Sequence, residues 1–355
     1  MQKKVLVVLA VLLIAGMPGK EAIPVAVPEP PRVLGAEPLP QAAPPYPPSP
    51  VIGDIVFDFA SHRREAGGDN WCVTWADDGH MYCSFNDGNG FSDMAGTDPI
   101  RWGVARIEGD YDNYVGYDRQ GGKNAEFPTQ DLGYSWGMVS IGGVLYSYGG
   151  QTGAPLYYST DHGANWKDCG WPAGAAWDPS PGPFNASTVL NFEKDYAGAR
   201  DNYVYVYAPT VKSTFYSQVG GIDLMRAPKD KIREKSAYEY FAGLDASNNP
   251  LWTPDISQRK PVFQYPGGVH WEITVAYNPG LGRYLLCTNA ASFSRKEGRL
   301  EVFDAPEPWG PWTTAKTFSN FGGFGYSYDY YFCPKWWRNN GTEFTLCFTG
   351  GTSLY

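Results

Sequence analysis

Three carboxylates, Asp69, Asp87 and Glu272, stand where strand-like runs begin or end. Asp69 opens the run Asp69-Asn70-Trp71-Cys72-Val73-Thr74-Trp75-Ala76, and Asp87 follows the returning run Met81 to Phe85. With Asp78-Gly79 as the hairpin turn, Asn70 faces Asp87, so Asp69 and Asp87 meet at the open end. Asp77 and Asp78 fall at the closed end, about 20 Å away at the rise of an extended strand. Two carboxylates in a partly dry cleft drive their pKa values apart, giving one acid and one base or nucleophile. That is the equipment of glycoside hydrolysis. A separation of about 5–5.5 Å favours retention and about 6.5–9.5 Å inversion. We read Asp87 as the acid and Asp69 as the base or nucleophile. The competing reading is structural: Asp69 caps a strand entry and Asp87 serves the turn Asp87-Gly88-Asn89-Gly90.

Glu272 lies in Trp271-Glu272-Ile273-Thr274-Val275, and strands disfavour Glu unless it meets solvent or a site. It is read as a third carboxylate that modulates the pair or donates a proton. His270 beside it is a rim residue or a substrate contact. Asp329, Lys123, Arg101, and Glu193 with Asp195 are weaker candidates. Trp71, Trp136, Trp271 and Tyr331 would suit stacking on sugar rings, although core packing is the default for aromatic residues.

These residues need a scaffold that gathers strand ends. Five returning runs supply one: His80 to Phe85, Val144 to Tyr148, Tyr203 to Tyr207, Arg283 to Cys287 and Phe344 to Phe348. Each alternates as a strand does, and Asp78-Gly79, Gly142-Gly143 and Asn340-Gly341 are hairpin turns. Their spacing of about 60 residues is slightly above the period expected for propeller blades or other β arrays. The expected fold is all-β, a five-bladed β-propeller whose inner strands start around one mouth. Ser159-Thr160-Asp161-His162-Gly163-Ala164-Asn165-Trp166 matches the Asp-box, S-x-D-x-G-x-x-W, a structural hairpin turn. Asp161 is therefore a poor catalytic candidate, and His162 is expected to be simply exposed. Closing the last blade requires one more strand, from Ile52 to Phe57 or from residues beyond Tyr355.

The chain has 355 residues. A charged start at Lys3-Lys4 and the apolar run Val5 to Met17 read as a secretory signal peptide over residues 1–22, too short for a stable membrane span. Residues 23–50 form a Pro-rich disordered linker, and the propeller domain is expected over 51–355. A net charge of −9 with no Lys/Arg cluster beyond the acid-interleaved run Lys229 to Lys235 argues against nucleic acid and anionic membrane as partners. The expected partner is a polysaccharide or glycan, met by a monomer that is secreted, periplasmic or at the cell surface. Six Cys permit disulfides in an exported chain, Cys333 and Cys347 being the better-placed pair. Cys72 and Cys83 sit diagonally across the first hairpin. No spacing forms a zinc pattern, so no metal and no cofactor is expected, with a central structural Ca2+ on oxygen ligands left open.

Several segments together resemble the exported bacterial domain-of-unknown-function family 4185. They are Asp69-Asn70-Trp71, Thr74 to Gly79, Asn86-Asp87-Gly88-Asn89-Gly90-Phe91, Tyr238 to Gly243, Tyr277 to Leu286, and Asp304 to Trp312. The likeness covers nearly all of Val51 to Tyr355. It implies a five-bladed propeller, and some members of that family are endo-D-arabinanases. Their catalytic pair is two Asp near the start of the domain, which most resembles Asp69 and Asp87. Cys72, Cys83 and Asn86 depart from the common pattern. Beside a glycoside hydrolase, the residues admit a non-catalytic carbohydrate-binding module. They also admit a polysaccharide lyase built on Tyr331, His270 and Arg101, or a sialidase-like enzyme, for which one Asp-box is few.

Overall fold

The computed structural model describes residues 2–12, 44–65, 67–92, 100–149, 155–171, 184, 186–210, 219–290, 298–324 and 326–351. Their regular structure is strand, with short 3-10 turns between. The first sheet holds β3 (Asp69–Trp75), β4 (Met81–Asn86), β5 (Gly103–Glu108) and β6 (Val115–Gln120) in sequential antiparallel order. The second repeats this with β7 (Ser135–Ile141), β8 (Val144–Gly149), β9 (Leu156–Ser159) and β10 (Lys167–Asp168).

A third sheet joins β11 (Thr188–Val189), β12 (Tyr203–Pro209) and β13 (Val219–Pro228) to β16 (Phe263–Asn278), β17 (Arg283–Ala290), β18 (Leu300–Ala305) and β19 (Thr313–Phe318). From its β13 branch β14 (Glu239–Leu244) and β15 (Pro250–Thr253). The fourth has the order β2 (Ile52–Glu65), β1 (Lys3–Leu12), β21 (Glu343–Gly351), β20 (Tyr326–Phe332).

The sheets are arranged as a β-propeller. Four sheets appear where five blades were expected, because β13 pairs with the first half of β16 and joins the third expected blade to the fourth. All five returning runs are the second strands of their hairpins. The turn at Gly142 (φ 60°) and Gly143 (φ 75°) shows why: both central residues are left-handed, which glycine adopts at no steric cost and which matches strand twist. The strands that open the hairpins touch in a closed ring, β3 to β7, β7 to β11, β11 to β16, β16 to β20 and β20 back to β3.

The core fills the spaces between sheets with aromatic rings. Tyr148, Tyr205, Tyr207, Phe263 and Phe303 share one buried cluster; Trp71, Tyr82, Phe85, Trp102 and Trp336 share another. In the fourth sheet β1 runs parallel between β2 and β21, so Lys3–Leu12, inside the segment read as a signal peptide, pairs as a strand beside β21, and Ile52–Glu65 lies outside it. Residues at the end of the Pro-rich stretch dock too. The Tyr46 hydroxyl accepts from the Gln264 N–H at 2.8 Å, and Thr314 donates its N–H to the Pro47 carbonyl at 2.8 Å. The signal-peptide boundary and most of the Pro-rich stretch lie outside the described residues.

All six thiols are free. Cys347 stands opposite Tyr331, and the Cys333 N–H bonds the Thr345 carbonyl at 3.1 Å, so Cys333 and Cys347 are offset along the ladder rather than facing.

Candidate active site at the mouth

Four of the hairpin-opening strands break register at the same level. The shifts lie between Asp69 and Cys72, Ser135 and Gly137, Val269 and Ile273, and Tyr328 and Tyr331. A bulge inserts a residue, bends its strand and re-aims a side chain, which is why bulges gather beside sites. Within or next to these bulges fall Asp69, Trp136, His270, Trp271, Glu272 and Asp329. The bulges thus fall on or beside the strand ends that the sequence singled out. The side chains of His270, Trp271 and Glu272 lie outside the described residues.

The turn of the first hairpin is one residue longer than Asp78-Gly79 pairing implies, with Ala76 closing on His80 around Asp77-Asp78-Gly79. Trp75 pairs with Met81, and after the bulge Asp69 pairs with Asn86. Asp69 is still brought next to Asp87, because turn and bulge shift the ladder in the same direction. Asp69 is half-buried, and its Oδ2 accepts the Tyr328 hydroxyl at 3.0 Å. Asp87 is exposed at φ 45°, a left-handed conformation uncommon outside glycine. Asn70 (φ 53°) and Asp329 (φ 51°) share that conformation at the same mouth. Such clusters of strained backbone collect at functional sites.

Gly88 explains how Asp87 is presented. Its backbone bridges to Ile100, and a Cβ there would lie 2.3 Å from the Gly68 Cα and 2.4 Å from the Gly67 carbonyl oxygen. Gly88→Ala is therefore expected to cost about 1–3 kcal/mol through overpacking and to move Asp87, a pair of effects read by urea unfolding and by any activity assay.

A belt of buried polar groups holds the carboxylate-bearing strands together. The Asn70 N–H donates to Asp329 Oδ2 at 2.9 Å, the Asn70 amide donates to the Ser135 carbonyl, and Asn70 Oδ1 accepts the Tyr331 hydroxyl. Asn86 donates to the Ser135 carbonyl and accepts the Ser135 N–H, both at 2.9 Å. Ser84 Oγ lies 2.6 Å from Ser135 Oγ, and that hydroxyl lies 3.0 Å from Ser147 Oγ. The belt crosses β20, β3, β4, β7 and β8, so the position of Asp69 is set by three sheets. Removing one hydroxyl from it, as in Tyr328→Phe, is expected to change stability by no more than about 1 kcal/mol. The same change should lower turnover about ten- to a hundredfold by freeing Asp69. Unfolding curves and kcat measured on the same preparation check both.

Several expected contacts take other roles. Trp71 is fully buried against Phe85 and Phe91, its indole N–H bound to the Gly68 carbonyl at 3.1 Å; it is core, not a sugar platform. Tyr331 is 5% exposed, with its hydroxyl spent on Asn70 and accepting from the Cys72 thiol at 3.4 Å, so it positions rather than stacks. Trp136 is buried beside Tyr134. Asp329, 1% exposed, orders the Asn70 backbone. Lys123 is exposed in the turn after β6. Asp195 binds the Ser140 hydroxyl and the Gly143 N–H, away from the mouth.

Arg101 pairs with Asp131 at 2.6 Å, which raises its pKa further, with smaller contributions from Tyr134 and Asp87. Asp78 serves turn geometry as expected, accepting the His80 N–H and the Tyr82 hydroxyl. His162 is more than an exposed side chain: its Nε2 lies 2.8 Å from Asp77 Oδ1 and its ring stacks on Tyr82. The Asp77, Asp78 and His162 ligand atoms all lie within 4.8 Å of one another.

One titratable group escaped the sequence reading. Glu301 on β18 is 1% exposed; burial pushes its carboxyl up to about 7, against smaller opposing effects of the Tyr265 hydroxyl and the Arg299 charge. It pairs with Thr288, which pairs in turn with Ile273 just past the β16 bulge. The signal that would have found it is the one used for Glu272, a Glu inside an apolar strand, Leu300-Glu301-Val302-Phe303. No helix among the described residues is long and apolar enough to cross a membrane.

Among solved structures, the chain is similar to a putative hydrolase from Bacteroides ovatus, at 14% identity over 77% of each chain with a TM-score of 0.45. It is similar to the GH43_1 enzyme from Xanthomonas citri, at 13% identity over 76% of this chain and 78% of that one, TM-score 0.44. An alpha-L-arabinofuranosidase from Clostridium thermocellum is similar at 12% identity over 74% and 78%, TM-score 0.36. A search of curated proteins finds no match. The sequence itself matches a family description over residues 138–351, more than half of the 355-residue chain, and on that ground the protein belongs to the family described as "Domain of unknown function (DUF4185)".

Proposed function

We propose that this protein is an exported glycoside hydrolase that cuts a polysaccharide at the mouth of a five-bladed propeller, the third and fourth blades being fused through β13 and β16. The ring formed by β3, β7, β11, β16 and β20 supports the blade count. One observation carries the activity: Asp69 and Asp87 are adjacent at the open end of the first hairpin, one half-buried and fixed by Tyr328, the other exposed on a left-handed residue.

In this reading Asp87 protonates the glycosidic oxygen as the leaving sugar departs, and Asp69 activates water or attacks the anomeric carbon. The exposed position suits a group that must meet the leaving oxygen. The anchored one suits a group whose aim decides the reaction. Substrates carrying arabinan-like furanose units are our first choice, on the family resemblance of the Asp69 and Asp87 segments.

The test is a panel of D-arabinan, α-L-arabinan, pectins and uronate polymers, read by reducing ends and by ultraviolet absorbance. New reducing ends without absorbance support hydrolysis. A gain in absorbance signals a lyase, and binding without turnover signals a carbohydrate-binding module; either result replaces this reading. Proton NMR of the first product then gives the stereochemistry.

A further inference from the structure

A cavity of about 380 Å³ opens where the Asp-box turn meets the connection between the first two sheets. The turn is rigid by its own bonding. Gly163 donates its N–H to Ser159 Oγ at 2.8 Å, and Asp161 accepts the Asn165 N–H at 2.9 Å and the Asn165 side-chain amide at 2.8 Å. The connection is locked onto it, because Gln130 accepts the Trp166 N–H at 2.8 Å and donates to the Trp166 carbonyl at 3.1 Å. A cavity with such walls is preformed, so a ligand entering it orders little.

Its lining combines an aromatic ring with hydrogen-bonding groups of both kinds. Tyr158 supplies the ring, and Arg233 packs its guanidinium 4.8 Å from the ring centroid, fixing its orientation. Thr160, Asn165 and Lys167 add polar groups. Trp166 also lines the cavity; it is 4% exposed, and its indole N–H is buried without a hydrogen-bond partner among the described residues. One acidic and one basic side chain, Asp161 and Lys167, leave the lining without a net charge, which favours a neutral ligand.

The connection gives the cavity its link to the mouth. Gln130 forms part of the lining, and five residues on Ser135 opens β7, its carbonyl bound by the Asn70 and Asn86 amides in the belt behind Asp69. A polymer following this segment would reach both places.

We propose that this cavity is a distal subsite for a neutral sugar unit of the polysaccharide whose cleaved bond lies at Asp69 and Asp87. The proposal rests on the hydrolase reading for its mouth-side end, but binding at the cavity can be measured without turnover. The probe is the full chain carrying Asp87→Asn, run on native affinity gels containing D-arabinan or α-L-arabinan. Two further variants are compared with it: Tyr158→Ala, which removes the ring, and Thr160→Trp, which fills the cavity. Both are expected to weaken retention about five- to tenfold, the scale of one lost aromatic contact. In the otherwise wild-type chain they should lower kcat/KM for polymer by a similar factor, with a short oligosaccharide cleaved at the parental rate.

Equal retention of all three proteins overturns the subsite. So does a loss confined to Tyr158→Ala together with a lower melting temperature, which marks a packing role. Failure of the wild type to cleave any polymer would sink the hydrolase reading alone, since the gel comparison still decides whether the cavity binds glycan.

Discussion

Replacing Asp87 by Asn is expected to lower kcat about 10²- to 10⁴-fold, the range measured when a positioned proton donor or acceptor is lost. The side chain keeps its shape and its place on a left-handed residue, so folding should be unchanged while proton transfer fails. Asp69→Asn should fall by a similar factor, with the Tyr328 hydroxyl still offered an oxygen to bond. The double variant should be little worse than either single one, because groups acting in one step are not additive. Asp77→Asn is the control: it alters a carboxylate at the closed end of the same hairpin, paired with His162, and should leave turnover intact. Reducing-end assays on whichever polymer the wild type cleaves measure all four. Retained activity in Asp87→Asn would move the chemistry away from the first hairpin.

The second large effect belongs to Glu301 and concerns stability. Its folded pKa of about 7 lies above the ordinary Glu value of 4.5, so the folded state holds a proton that the unfolded state has released between those pH values. The sign follows directly. Stability is fully present below about pH 4.5 and declines as pH rises through about 7, because the native state must then either bury a charge or give up its fold. A difference of this size corresponds to about 3 kcal/mol across the window. The carboxyl sits among the Tyr265 hydroxyl, which donates at 3.2 Å, the Arg299 charge, and Thr288 and Thr317 on the flanking strands. Glu301→Gln stays neutral at every pH, so its unfolding free energy should lose this slope. At pH 8 it should exceed the wild type, with the two converging at pH 4.5. Urea unfolding at pH 5 and pH 8 measures it. A parallel pH dependence in both proteins would mean that Glu301 is already ionised in the fold.

Much of the architecture was legible in short-range pattern. The five returning runs became β4, β8, β12, β17 and β21, because alternation of apolar and polar residues and turn chemistry are local properties of the chain. The approach of Asp69 to Asp87 was legible for the same reason, since a hairpin's register follows from its turn. Even there the prediction survived an error. The turn is one residue longer than Asp78-Gly79 pairing implies, and a bulge at Asn70 and Trp71 shifts the ladder once more.

What each side chain does at the mouth was not legible. Trp71 and Tyr331 have the composition of sugar platforms, but the face of a strand that meets the neighbouring blade is fixed only when the sheets pack. Both rings then turn inward. Tyr328, which holds Asp69, and Asp329, which holds Asn70, act on residues 259 positions earlier in the chain, a distance no periodicity spans.

By itself, then, the sequence determined the strands, their turns and the pairing of Asp69 beside the Asn86-Asp87 end of one hairpin, because each depends on neighbours a few residues apart. The tertiary structure alone decided the belt that orients Asp69, the fusion of two expected blades through β13 and β16, and the burial that shifts Glu301. Each of these arises where sheets far apart in sequence exclude water from one another and leave their polar groups only protein partners.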